Sequence, residues 1–246
     1  MGRTSPRAGF SLVELAVVLV IIGLIVGGVL KGQELIQSAQ LNAVQTDANK
    51  IRTAINTFQN KYVALPGDLS NPSEVIDSDI DFSGDGNGDG RIGGDRTDSD
   101  AEAVQAWVHL AASGLIGQID TEALNGSDLT AGNGFEGSVG GFYSLGQGLG
   151  RSGADIDFQS VSNSEIWLML GRHDTDRMAN DRPVLPADQA AELDRKTDDG
   201  DPSSGTLRGD WFNAGNDESS CMDTGAAKED TNYNIGGGSC ALALQL

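Results

Sequence analysis

From Phe10 to Leu30 the chain runs 21 residues with a single charge, Glu14, and no proline. A helix of that length rises about 30 Å, the thickness of a bilayer's hydrocarbon core. A cleaved secretory signal has a shorter apolar core followed by a small-residue cleavage site, and no such site follows here. Arg3 and Arg7 precede the run, and Lys31 alone opens the segment after it. That asymmetry places the first nine residues in the cytoplasm and the rest of the chain outside. The predicted element is a single membrane-spanning helix. Glu14 is its anomaly, because an ionisable side chain inside a span needs a partner or a function.

"GFSLVE" followed by "LAVVLVIIGLIVGG" resembles the type IV pilin-like proteins, which include pilins and the pseudopilins of type II secretion and competence systems. The resemblance implies cleavage between Gly9 and Phe10 by a prepilin peptidase and N-methylation of the new Phe10 amine. It also gives Glu14 a role in assembly. A carboxylate one helical turn from the chain start could pair with the Phe10 amine of a neighbouring subunit, where a low dielectric strengthens the attraction. Without that pairing, Glu14 would be a carboxylate reaching for the interface in an ordinary anchor. Gly23 and Gly27, and Gly28 and Gly32, have the small-residue spacing that lets helices approach closely. Many family members carry a proline near Lys31; this chain has none between Pro6 and Pro66.

Past the membrane, Leu41, Val44, Ala48, Ile51, Ile55, Phe58 and Tyr62 step by three and four along one helical face. Pro66 and Gly67 in "ALPGD" stop the helix. One helix from Phe10 to Val63 would be about 80 Å long. The expected fold is α+β: a long N-terminal transmembrane and stalk helix packed on a C-terminal globular domain with a small antiparallel sheet. The expected organisation is a leader over 1–9, a span over 10–30, an extracytoplasmic stalk over 31–65 and a globular domain over 66–246. Within that domain, 77–100 is read as an acidic loop and 221–240 as a disulfide loop. A helix is predicted over Asp100–Gln118, ended by Gly114 or Gly117, and another over Ala187–Lys196 behind Pro186. Gly-rich Leu124–Arg151 suggests short strands, and Ser164–Leu170 fits either strand or helix. "ALPGD", "GDGNGDGRI", "AWVHLAASGLIG" and "LDRKTDDGDPSSGTLR" also look like a subset of pilin-like proteins from proteobacteria.

The formal net charge is −20 and becomes −22 once Arg3 and Arg7 leave with the leader. Such a surface disfavours nucleic acid and suits divalent cations. "DGNGDGRIGGDR" matches the first half of an EF-hand-type calcium loop. Asp85, Asn87 and Asp89 fill positions one, three and five, Gly90 makes the turn, and Arg91 would offer its carbonyl. The twelfth position is Arg96 rather than an acid, so Asp95, Asp98 or Glu102 would have to complete the shell. A plain Asp-Gly turn run is the competing reading. A second cluster, Asp194, Asp198, Asp199 and Asp201, could hold a metal, but a solvated turn is the favoured reading.

Cys221 and Cys240 would pair in an oxidising exterior, a bridge that stabilises by about 3 kcal/mol in the chain-entropy picture. The pilin-like resemblance also implies a C-terminal disulfide loop. His109 and His173 have no nucleophile or second histidine at ligand spacing, and no phosphate-binding loop is present, so no enzyme is expected.

The functional expectation is a structural subunit of a type IV pilus or related filament in the bacterial inner membrane. Its C-terminal domain would be periplasmic before export into a pilus or retention in a periplasmic pseudopilus. Its partners would be other pilin subunits, the prepilin peptidase and an inner-membrane assembly platform. The alternatives are a minor pseudopilin of type II secretion and a membrane-anchored calcium-binding ectodomain that never assembles.

Overall fold

In the computed structural model of the chain, the residues described are 12–80, 82, 84, 86–93, 101–117, 119, 135–147, 156–157, 165–174, 177–182, 184–209, 211–212, 221–222 and 232–246. They form two compact units, Met1–Gln40 and Leu41–Leu246. Helix α1 (Leu12–Tyr62) contributes to both. By packing, the second unit begins at Leu41, within α1.

In the second unit, the three-and-four stripe of α1 buries as its spacing requires. Leu41, Val44, Ile51 and Phe58 are fully buried, with Ala48, Ala54 and Ile55 nearly so. A helix carrying one apolar stripe becomes stable by covering it, here with about 1.5–3 kcal/mol for each large side chain removed from water. The stripe joins a core made by α3 (Glu102–Ala112) and by the strands, through Trp107, Leu110, Tyr143, Leu168, Leu170, Leu242 and Leu244. Between α1 and α3, a one-turn helix, α2 (Pro72–Val75), carries the chain away from the "ALPGD" turn. Helix α3 is shorter than its predicted span and gives way to a turn in which Gly114 has φ +69.

The strands are β1 (Phe135–Glu136), β2 (Phe142–Gly146), β3 (Ile156–Asp157), β4 (Trp167–Asp174), β5 (Arg177–Arg182), β6 (Leu185–Pro186), β7 (Leu207–Gly209), β8 (Trp211–Phe212), β9 (Ser239–Cys240) and β10 (Leu242–Gln245). The main sheet runs β1-β2-β4-β10-β7, all antiparallel, and β5 pairs with the end of β4. The small pairs β3–β8 and β6–β9 lie outside it. Of the ambiguous run Ser164–Leu170, the residues Trp167–Leu170 are central strand. Their side chains are buried on both faces, Leu168 and Leu170 in the main core and Trp167 and Met169 opposite, which explains why their sequence shows no alternation. Helix α4 (Ala187–Thr197) follows Pro186 and buries Ala190, Ala191 and Leu193.

Polar ties fix α1 to the sheet. The buried Asp47 accepts from the main-chain N–H of Ser138 (3.2 Å) and from its hydroxyl, which anchors the β1–β2 turn. Arg52 donates from Nη2 to the carbonyl of Gln245 (2.8 Å), tying α1 to the last strand. Cys221 and Cys240 form the disulfide, with Cα atoms 4.6 Å apart.

Val63 ends α1 in the left-handed region at φ 57, an arrangement that is unfavourable for a β-branched side chain. Its side chain is 91% exposed, so packing returns nothing for that strain. Val63→Gly should therefore raise the unfolding free energy by up to about 1 kcal/mol, less the extra chain entropy of glycine. Thermal denaturation in detergent measures it, and a loss of stability would contradict the strain argument.

Candidate functional site

The first unit carries one large exposed feature. Every described side chain from Leu12 to Leu30 is exposed, Leu12, Leu19, Val20 and Leu24 by 70% or more. An apolar surface of this size is not left facing water. Helix α1 is long and apolar enough to cross a membrane, and its apolar part is buried against none of the described residues. Glu14 lies in the first turn, where the partial positive charge of the helix N-terminus favours a carboxylate. Gly9 and Phe10 lie outside the described residues. At Gly23, Gly27, Gly28 and Gly32 an added Cβ would meet no atom within 4 Å, so packing inside the chain does not require glycine at any of them.

The acidic loop is built from the residues around it. Asp68, two residues after Pro66, accepts from the main-chain N–H groups of Asp89 (3.0 Å) and Gly90 (2.8 Å). Glu102, in the first turn of α3, accepts from those of Asn87 (3.1 Å) and Gly93 (2.8 Å). Two buried carboxylates thus satisfy four loop donors, and carboxylate bonds of this kind are the strong ones. The Asn87 side chain accepts from Asp89 N–H (2.8 Å) and the Asp89 side chain from Arg91 N–H (2.9 Å), the local turns their residue types favour. Ile92 is fully buried and pins the end of the loop. A side chain at Gly86 would strike the Asp68 backbone at 2.1 Å, so the loop reaches this position only with glycine.

Of the residues expected to ligate calcium, Asn87, Asp89 and Arg91 are in this loop, while Asp85 and Asp95 lie outside the described residues. The carboxylates of Asp68, Asp89 and Glu102 come within 4.8 Å of one another, an all-oxygen donor set of the type a hard divalent cation takes. Sequence reasoning considered Glu102 but missed Asp68. The available signal was an aspartate directly after the Pro-Gly turn.

His109 closes the same corner from behind. It is fully buried on α3, and its Nδ1 accepts from Gly67 N–H (2.9 Å), so the neutral ring carries its proton on Nε2. Phe58 stacks on it and Phe82 meets it edge-on. Burial lowers its pKa to about 4.

The second acidic cluster is a turn tied together by its own carboxylates. Asp194 accepts from Gly200 N–H (3.2 Å) and from the Tyr233 hydroxyl (2.8 Å), which holds the disulfide loop to α4. Asp198 accepts from the N–H groups of Thr206 and Leu207, Asp199 from Asp201 N–H and the Ser204 hydroxyl, and Asp201 from Ser203. The cluster read as a solvated turn is thus a bonded one with a buried anchor. Burial raises the pKa of Asp194 to about 6, its two hydrogen bonds oppose the rise, and the charges of Asp199 and Asp198 add to it.

The prokaryotic N-terminal methylation motif matches residues 4–30. With the long apolar helix, this segment matches a type IV pilin-like protein, and the motif implies processing by prepilin peptidase and pilin-type assembly. The N-terminus is consistent with a membrane-anchored pilin. No curated protein and no solved structure matches the chain.

His109 and Asp194 act oppositely on stability. The folded pKa of His109 lies below its unfolded value near 6.5, so its contribution is present above pH 6.5 and is lost as pH falls toward 4. The folded pKa of Asp194 lies above its unfolded 3.8, so its contribution is present below that value and is lost as pH rises through 6. Between pH 4 and 6 the two slopes oppose each other. Asp194→Asn should remove one of them, and on acidification across this window the variant should lose about 1–3 kcal/mol more than the wild type. Denaturant unfolding at several pH values measures this, and parallel pH profiles would contradict it.

Proposed function

We propose that the chain is a structural subunit of a type IV pilus or related filament. In this reading it is inserted in the inner membrane with its C-terminal domain in the periplasm, cut after Gly9, methylated at Phe10 and polymerised through its N-terminal helix. The observation that carries the reading is the methylation motif placed on the exposed apolar start of a long helix, with Glu14 in its first turn. Glu14 would pair with the freed Phe10 amine of a neighbour, and removal of water strengthens that pairing. Gly23, Gly27, Gly28 and Gly32, each with open space where a Cβ would stand, would let neighbouring helices approach closely. The role is mechanical, and no catalysis is assigned to the chain.

A minor pseudopilin of type II secretion is the nearest alternative and shares the same N-terminal chemistry; abundance in purified filaments separates the two. In either case the acidic loop's oxygen donors would take calcium as a structural ion. A melting temperature raised by calcium and not by magnesium supports that role, and no shift removes calcium from the account. A membrane-anchored, calcium-binding ectodomain that never assembles is the reading to which failure of processing would lead.

Mass spectrometry of the mature protein should find Phe10 at the N-terminus carrying one methyl group, and an intact leader would overturn the assembly reading. Glu14→Ala should insert in the membrane at wild-type level and enter filaments strongly reduced or not at all. Wild-type incorporation by that variant would remove the assembly role from Glu14.

A further inference from the structure

Strand β10 stands inside the main sheet although it is the last of the described strands along the chain. Leu242, Ala243 and Leu244 pair with Leu170, Met169 and Leu168 of β4 on one side and with Gly209, Arg208 and Leu207 of β7 on the other. Among the described residues β4 and β7 do not pair with each other. Past the ladders, Gln245 N–H donates to the Thr206 carbonyl and Leu246 N–H to the Ile166 carbonyl, both at 2.8 Å. The same short segment reaches further elements. The Gln245 carbonyl accepts from Arg52 of α1, the Cys240 carbonyl from Val184 N–H (2.8 Å), and the Gly238 carbonyl from Ala187 N–H at the start of α4 (2.9 Å). Cys240 is bonded to Cys221, and a Cβ at Gly209 of β7 would meet the Cys221 Sγ at 2.7 Å, so the bridge lies directly against the strand that β10 holds in place.

Without this segment the sheet loses its middle rather than an edge. Strand β7, three residues long, would have no partner strand, and β4 would turn a row of unpaired amide and carbonyl groups outward beside Leu168 and Leu170. Both neighbours precede β10 by long stretches of chain, so its pairing closes large loops and comes late in folding. A chain made from its N-terminal end also delivers α3, β2, β4 and β7 before β10. We propose that β10 is the closing strand of the folded unit: the unit stays open until residues 238–246 have cleared the export channel, and insertion between β4 and β7 is what brings Cys240 to Cys221. The bridge then forms by exchange with an external protein disulfide. The two cysteine thiols give up two protons and two electrons and become the disulfide, and the external disulfide leaves as a dithiol. A closed bridge thereby marks a chain whose export and folding are both complete. The inference rests on the periplasmic placement proposed above and adds an order of events to it.

The test compares Leu244→Pro with Leu110→Ala in the full chain. The N–H of Leu244 points to β4, as that of Leu246 does, and a proline removes this donor from a strand paired on both sides. Leu110, fully buried on α3, leaves a cavity in the same core but belongs to neither ladder. A maleimide probe applied to intact membranes should label the cysteines of Leu244→Pro at least about tenfold more than those of the wild type or of Leu110→Ala. A bridge formed at wild-type level in Leu244→Pro overturns the proposal, and so does equal labelling of the two variants, which would make the effect one of general stability. The order of events is read on the unaltered domain, with a C-terminal extension that stalls export while residues 238–246 are still in the channel. Protease outside should digest the stalled domain, and release should bring protection and the bridge together; protection before release overturns the proposal. Wild-type cysteines that stay reduced and shielded from outside reagents are a different result: they remove the periplasmic placement itself.

Discussion

The folded unit depends on one interaction, the burial of a single stripe of α1. Leu41, Val44, Ile51 and Phe58 lose all contact with water against a core that α3 and the sheet complete. Each of those elements is small, and strands of two to eight residues do not hold together unaided. With the helix as a spine, the sheet gains a covered face, and Asp47 and Arg52 need only fix its register along the spine. The N-terminal apolar part of the same helix has a surface that no described residue covers, and a membrane or a partner is what could cover it.

Around that core, carboxylates do much of the work that regular structure does elsewhere. Asp68, Glu102, Asp194 and Asp198 each accept from main-chain N–H groups in Gly-rich loops that neither helix nor sheet would satisfy. The acidic composition is in this respect structural as well as a surface property. It also leaves a strongly negative exterior, and any assembly of identical copies must offset that charge through cations or through local basic positions.

The helical half of the fold was legible in the sequence because its periodicity is strong. The seven positions from Leu41 to Tyr62 named the buried face of α1, and Pro66 with Gly67 named its end. Helix α4 was readable from Pro186 and the turn that follows it. The sheet was harder. Trp167–Leu170 of β4 are buried on both sides, so this apolar run carries no period, and β1, β6 and β9 are too short to show one. At the candidate sites, the span, Glu14 and the cysteine pair were visible as local patterns. Asp68 and His109 were not, because they reach the acidic loop and Gly67 from 21 and 42 residues away, and spacing along the chain does not report such contacts.

The central claim is that the exposed helix is made to be covered by copies of itself or its relatives in a filament. The most direct measurement is the composition of filaments sheared from the surface of cells that express the chain, or of periplasmic pseudopili where the gene serves secretion. The account predicts the processed chain among the filament subunits. Confinement of the processed chain to the membrane fraction, with filaments present and lacking it, would contradict the account.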